Sequence, residues 1–210
     1  MNKTKKDTRW MVSVALMAAV IVVLANTPLG MIQLPIIKAT TVHIPVILGA
    51  VLFGPLAGAI LGGVFGICSL ISNTMAPTLL SFAFSPFLTT TGLVGALKAI
   101  WISVGCRIMI GVIAGLLWCL LMRIHCNQTL GLIITGFVGS MVNTIFVMSS
   151  IYFMFAAQYS QAKEVYVSAD FGLIMATVAS SGVPEAIAAA ILVTALGKIL
   201  LRLIVKLRTQ

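Results

Sequence analysis

The sequence predicts an all-α integral membrane protein with six transmembrane helices in one domain, residues 1–210. Three observations carry that prediction. The 210 residues are 60% hydrophobic and 8% charged, with a mean hydropathy of +1.17, whereas a soluble domain is about 25% charged. Apolar runs recur from residue 10 to residue 205, leaving no room for a sizeable soluble domain. The basic residues gather where those runs begin and end. Lys3, Lys5, Lys6 and Arg9 precede the first run, and Lys198, Arg202, Lys206 and Arg208 close the last, as on cytoplasmic flanks of membrane helices. The net charge of +9 therefore does not point to nucleic acid, since no aromatic residues interleave with the basic ones to stack bases.

The first span covers residues 10–25 and ends at Asn26-Thr27-Pro28. Its basic start and apolar centre imitate a secretory signal, but no small-x-small cleavage site is clear, so an uncleaved signal anchor is expected. Residues 27–43 form a first outer loop. Residues 44–72 are apolar throughout and broken at Phe53-Gly54-Pro55. As one helix these 29 residues would reach about 43 Å, long for a hydrocarbon core of about 30 Å. Two spans, 44–54 and 56–72, joined by a turn at Gly54-Pro55, are expected, although the first has only 11 residues and reaches roughly 16 Å. Parity favours this hairpin. With it both termini are cytoplasmic, and nine of the thirteen Lys and Arg, the eight terminal ones plus Arg123, lie inside. One crossing at 44–72 with another near 83–102 keeps the parity. Pro86 and Lys98 make it less attractive, a charge near the bilayer centre costing about 2.5–3.5 kcal/mol. Residues 73–104 are therefore read as a second outer loop. Further spans are expected over 105–123, 129–156 and 184–205, with a third outer loop at 157–170.

The stretch GPLAGAILGGVFG places glycine at 54, 58, 62 and 66. A phosphate-cradling loop needs Gly-x-x-x-x-Gly-Lys-Ser/Thr so that a lysine reaches the phosphates, and no lysine lies between Lys38 and Lys98. Glycines four apart instead share one helix face and let a second backbone approach. Ala15-x-x-x-Ala19 and Gly111-x-x-x-Gly115 repeat the spacing. With Gly54 in the turn, Gly58, Gly62 and Gly66 form the packing face. The four cysteines (Cys68, Cys106, Cys119, Cys126) have no metal-ligand spacing and read as small hydrophobes.

An ionisable or amide group inside a span is a candidate site residue. Arg107 opens the fourth span, Asn143 lies in the fifth, Glu185 opens the sixth and Asn73 ends the third. The Arg107 fork suits a carboxylate or phosphate, or a snorkelling contact with lipid headgroups. Asn143 offers donors and an acceptor, to a ligand or to a neighbouring helix. Glu185 follows Pro184, a pairing that also suits a helix's first turn. His43 precedes Ile44-Pro45 and reaches a ligand from the loop or serves the core. Phe84, Phe87 and Trp101 wall a pocket or belong to an interfacial aromatic belt. Catalytic signatures are missing: there is no His-Glu-x-x-His, no Gly-x-Ser-x-Gly, and no close carboxylate pair within the spans. The chain is not expected to be an enzyme.

The stretch IKATTVHIPVILGAVLFGPLAGAILGGVFGICSLISNTMAP is similar to substrate-binding (S) components of energy-coupling factor (ECF) transporters. SFAFSPF, CRIMIGVIAGLLW, GSMVNTIFVM and SGVPEAIAAAI continue the resemblance over most of the chain. TTVHIP and NTMAPTLLSFAFSPF most resemble the pantothenate-specific branch. The resemblance implies a six-helix S-component bundle in the bacterial cell membrane that captures one vitamin from outside. It implies partners: a transmembrane scaffold subunit (T component) and two ATPase subunits. ATP would be used there, with no cofactor on this chain. It implies a scaffold contact at Ala15 and Ala19, a lid at 27–43, and release of the vitamin inside by toppling in the membrane. Matched to pantothenate, Arg107 would hold the carboxylate, Asn143 the amide and Glu185 the hydroxyls, with Asn73, His43, Phe84 and Trp101 nearby. Competing expectations are an S component for a pyridoxine-type vitamin, a stand-alone secondary carrier, and an intramembrane enzyme.

Overall fold

A computed structural model describes residues 3–27, 30–33, 38–78, 80–89, 92–155 and 182–208. The elements are α1 (Lys3–Ala25), β1 (Met31–Gln33), β2 (Lys38–Thr40), α2 (His43–Phe53), α3 (Pro55–Met75), α4 (Gly92–Ile100), α5 (Cys106–Arg123), α6 (Gln128–Met154) and α7 (Val183–Arg208). A 3-10 turn at Ser81–Ala83 precedes α4, and a π turn at Trp101–Gly105 joins α4 to α5. Five helical stretches are long and apolar enough to cross a membrane: Thr8–Ala25, Pro55–Met75, Gly92–Arg123, Gln128–Met154 and Val183–Leu203. The sixth, His43–Phe53, is apolar but short. The third outer loop expected at 157–170 lies outside the described residues.

The break between α2 and α3 falls at Gly54, whose φ of 94° a Cβ-bearing residue rarely adopts. Pro55 then starts α3, where a missing N–H costs nothing. Two features depart from the expected layout. The loop at 27–43 contains a small antiparallel ribbon, β1 against β2, with Met31 opposite Thr40, so the chain is not purely helical. The loop expected over 73–104 ends by Gly92. Residues 92–123 form one helical rod of 32 residues, about 48 Å long, and Arg107 sits inside it instead of at its start. Lys98, the charge that argued against a helix here, donates Nζ to the Met154 carbonyl at 3.0 Å and lies 5.8 Å from the Phe155 ring centroid. It satisfies a terminal carbonyl of α6 and complements that helix's negative end.

The glycine stripe explains how α3 and α5 meet. A Cβ on Gly58 would collide with the Gly111 carbonyl, and one on Gly62 with the Arg107 carbonyl. A Cβ on Gly66 would lie 2.7 Å from Val104 Cα, and one on Gly115 2.6 Å from Pro55 Cα. The paired positions run in opposite directions, so the helices are antiparallel with backbones in direct contact.

The chain's basic ends share one end of the bundle. Trp10 Nε1 donates to the Phe53 carbonyl at 3.1 Å beside the Gly54 turn. Gly131, early in α6, packs on Trp118 and Met122 of α5, and Gly197, late in α7, packs on Leu132. A core of Ile47, Leu48, Ile110, Ala114, Trp118, Leu132, Ala189 and Val193 fills the space between α2, α5, α6 and α7.

Candidate functional site

At Gly139 three helices converge: a Cβ there would meet Ile47 of α2 at 2.8 Å and Ala114 of α5 at 3.6 Å. Away from the basic end, one to two turns beyond this layer, stand His43 on α2, Arg107 on α5 and Asn143 on α6. α7 closes the fourth side, with Gly136 against Ala190 and Thr144 against Gly182, and Glu185 falls between those contacts. His43 and Glu185 both lie within electrostatic reach of Arg107. The apolar core therefore forms a floor, and polar side chains from four helices stand on it.

Arg107 is 4% exposed. Its Nη1 donates to the Ile102 carbonyl at 3.0 Å, inside the π turn. Such turns recur at functional sites. Its guanidinium carbon lies over two ring faces, 5.1 Å from the Phe65 centroid and 5.2 Å from that of Phe84. Nε has no partner. Phe84 is held in place in turn, its carbonyl accepting a hydrogen bond from the Ser103 hydroxyl.

The ribbon reaches the site through Glu185, whose Oε1 accepts the Thr40 backbone N–H at 2.6 Å. His43, 1% exposed, begins α2 immediately after the ribbon. The Thr40 backbone lies beside its ring, yet among the described residues neither ring nitrogen has a partner at hydrogen-bond geometry. Among the described residues, Asn143 Oδ1 and the Ser140 hydroxyl on the same helix are buried without a partner; the Thr135 hydroxyl is unpartnered too, but it lies a turn below Gly139 and outside the site. A buried polar atom left unpaired costs about 1–3 kcal/mol, so several near one level mark a place built for a polar ligand.

The other sequence candidates sit elsewhere. Asn73 is buried but satisfied: Nδ2 donates to the Ser69 carbonyl, and Oδ1 accepts the Ser81 hydroxyl, both at 2.8 Å. Ser81 Oγ in turn accepts the Thr78 N–H at 2.8 Å. Asn73 thus pins the turn that carries Phe84. Trp101 is 49% exposed, its ring against Gly105 of its own helix, and does not line the site. Phe87 is exposed as well. Ala15 and Ala19 lie on the exposed side of α1. Two residues not singled out in sequence do contribute, Phe65 and Ser140. Phe65 falls three residues after Gly62, on the side of α3 that faces α5, and that register is the signal that marks it.

Apolar helices long enough to cross a membrane enclose a buried polar site, an arrangement suited to a membrane protein that holds a polar ligand. Residues 9–197 match the family model described as "ECF transporter, substrate-specific component", and the chain belongs to that family. It is a substrate-binding component of a transporter and not an enzyme. The chain is also similar to the "Pantothenic acid transporter PanT" of Lactococcus lactis subsp. cremoris (strain MG1363), 32% identical over 161 residues that cover 76% of each chain.

Proposed function

We propose that this chain is the pantothenate-capturing S component of an ECF importer. It takes the vitamin from outside the cell membrane, with both termini in the cytoplasm and α2–α3 folded as a hairpin that makes six spans. Release inside follows toppling against a scaffold subunit, driven by two separate ATPase subunits. One observation carries the reading: polar atoms of His43, Arg107 and Asn143, unpartnered among the described residues, are buried beyond the same apolar floor, in a chain 32% identical to a pantothenic acid transporter.

The chemistry matches group by group. Pantothenate carries a carboxylate, an amide and two hydroxyls. Arg107 pairs with the carboxylate, its permanent charge and fork favouring a planar anion. Asn143 Oδ1 accepts the amide N–H. The hydroxyls fall to His43, Ser140 and the Glu185 oxygen not engaged by Thr40. Glu185 also fastens the ribbon over the site, so ribbon closure and ligand contact share one side chain.

Calorimetry on the detergent-purified chain against a vitamin panel tests this. Saturable binding of pantothenate, weakened in Arg107→Ala and Asn143→Ala, is expected. Binding of a different vitamin keeps the family and moves the substrate. An Arg107→Ala protein with full pantothenate affinity removes the carboxylate assignment.

A further inference from the structure

The environment of Arg107 is unusual for a buried cation. Among the described residues no oxygen claims its Nε, and Nη1 alone is used internally, by the Ile102 carbonyl. What surrounds the charge instead is aromatic: Phe65 and Phe84 both present ring faces to the guanidinium at just over 5 Å. A ring face attracts a cation without accepting its N–H bonds, so this arrangement stabilises the buried charge while leaving donors free. A carboxylate partner in the protein would do the opposite, filling the fork. Because a guanidinium is planar and stacks on aromatic faces, two rings also fix its plane.

Resting on the pantothenate reading, we propose that Phe65 and Phe84 are positioning residues. They hold the Arg107 plane so that its Nε–Nη2 edge takes the ligand carboxylate two-pronged, and thereby set selectivity for the acid over its uncharged analogues. The edge is assigned by elimination: Nη1 is tied back to Ile102, and Nε is the buried donor left without a partner. The two rings arrive by separate routes. Phe65 is brought in by the Gly62–Arg107 backbone contact of the α3–α5 seam. Phe84 is brought in by the turn that Asn73 and Ser103 pin. The second route gives Asn73 an effect on the ligand without touching it.

The test uses the full chain in detergent and two ligands, pantothenate and the alcohol in which its carboxylate is replaced by CH2OH. Phe84→Leu is expected to lower pantothenate affinity roughly tenfold, as the loss of a desolvated cation–π contact implies. The weaker affinity for the alcohol should fall far less, and Phe84→Tyr should restore the acid/alcohol ratio. Equal losses for both ligands overturn the proposal, because a merely structural role weakens both alike. The clamp is also read without ligand. In protein labelled with 15N-arginine, the Nε–H resonance that disappears in Arg107→Lys should carry a ring-current shift. Phe84→Leu and Phe65→Leu should each change that shift, and a resonance that neither variant moves overturns the clamp. If the wild type binds no pantothenate, the vitamin assignment fails, and the arginine resonance still decides the clamp.

Discussion

Two asparagines show why a residue type inside a span does not define a role. Asn73 and Asn143 are both buried in apolar helices. Asn73 has both ends of its amide satisfied, whereas Asn143 keeps an unpartnered Oδ1. Removing Asn73 breaks its bonds to Ser69 and Ser81 and leaves the Ser81 hydroxyl only Thr78 as partner; it is expected to cost about 1–3 kcal/mol of stability, seen as a lower melting temperature. Asn143→Ala removes an atom that had no partner, so the melt should move little while pantothenate affinity drops about tenfold or more, equivalent to about 1.4 kcal/mol. A reversed pattern, with Asn143→Ala unfolding the chain and Asn73→Ala only weakening binding, would exchange their roles. A third position is testable by stability alone. His125 has φ 58° where the chain leaves α5, and the Cys126 N–H reaches back to the Leu121 carbonyl at 3.0 Å, a closure that favours glycine. His125→Gly should raise stability by about 1 kcal/mol, and an unchanged or lower melt contradicts that. Arg107, Glu185, Asn143 and His43 are legible as candidates in the sequence because charged and amide groups are costly in lipid. Ser140 is not, and Phe65 is marked only by its register with Gly62, because aromatic and small hydroxyl residues are ordinary in membrane helices and the fold supplies their neighbours. Trp101 misleads for the same reason, since its outward direction depends on the phase of a helix that begins at Gly92.

At the scale of the element, the glycine stripe states its purpose in sequence, while the partner it serves becomes visible only in three dimensions. Adjacent glycines of α3 separate the two properties. Gly62 lies against the α5 backbone at Arg107, and any Cβ there must displace it; Gly63 has only the Ile108 side chain within reach, at 3.8 Å. Gly62→Ala is therefore expected to destabilise by about 1–3 kcal/mol through overpacking, and to weaken ligand binding because the shifted backbone carries Arg107. Gly63→Ala should leave both nearly unchanged and gain slightly from helix propensity. Equal behaviour of the two variants in thermal melts and calorimetry would mean that α3 and α5 do not meet along this face. The hairpin turn is legible because Gly-Pro is a local signal. The helix over residues 92–104 is hidden because Lys98 looks incompatible with it until Met154, 56 positions away, offers a carbonyl.

For the whole molecule, the polar site and the most exposed helix lie on different elements. The polar site draws on α2, α5, α6 and α7, and α1 contributes nothing to it. Of the five long apolar helices, α1 is the least enclosed. Its outer surface exposes Met11, Val12, Leu16, Val20 and Val23, and Ala15 and Ala19 open a notch among them. Lipid covers such a surface without difficulty, so hydrophobicity alone requires no protein partner there. What lipid does not explain is a pair of small residues four apart, which lets another helix backbone come close and gain packing that lipid chains do not match. The scaffold contact that the family resemblance implies at Ala15 and Ala19 fits that geometry, and as a proposal it predicts that capture and delivery separate. An Ala15→Leu/Ala19→Leu variant should bind pantothenate like the wild type when purified alone, because no residue of the site lies on α1. Expressed with a scaffold subunit and two ATPase subunits, the same variant should fail to copurify with them and support little pantothenate uptake. If uptake and copurification survive both leucines, the scaffold meets another face of the bundle. If binding by the isolated chain is lost instead, α1 supports the site through the core it shares with α2 and α3, and the division between holding and delivering does not exist.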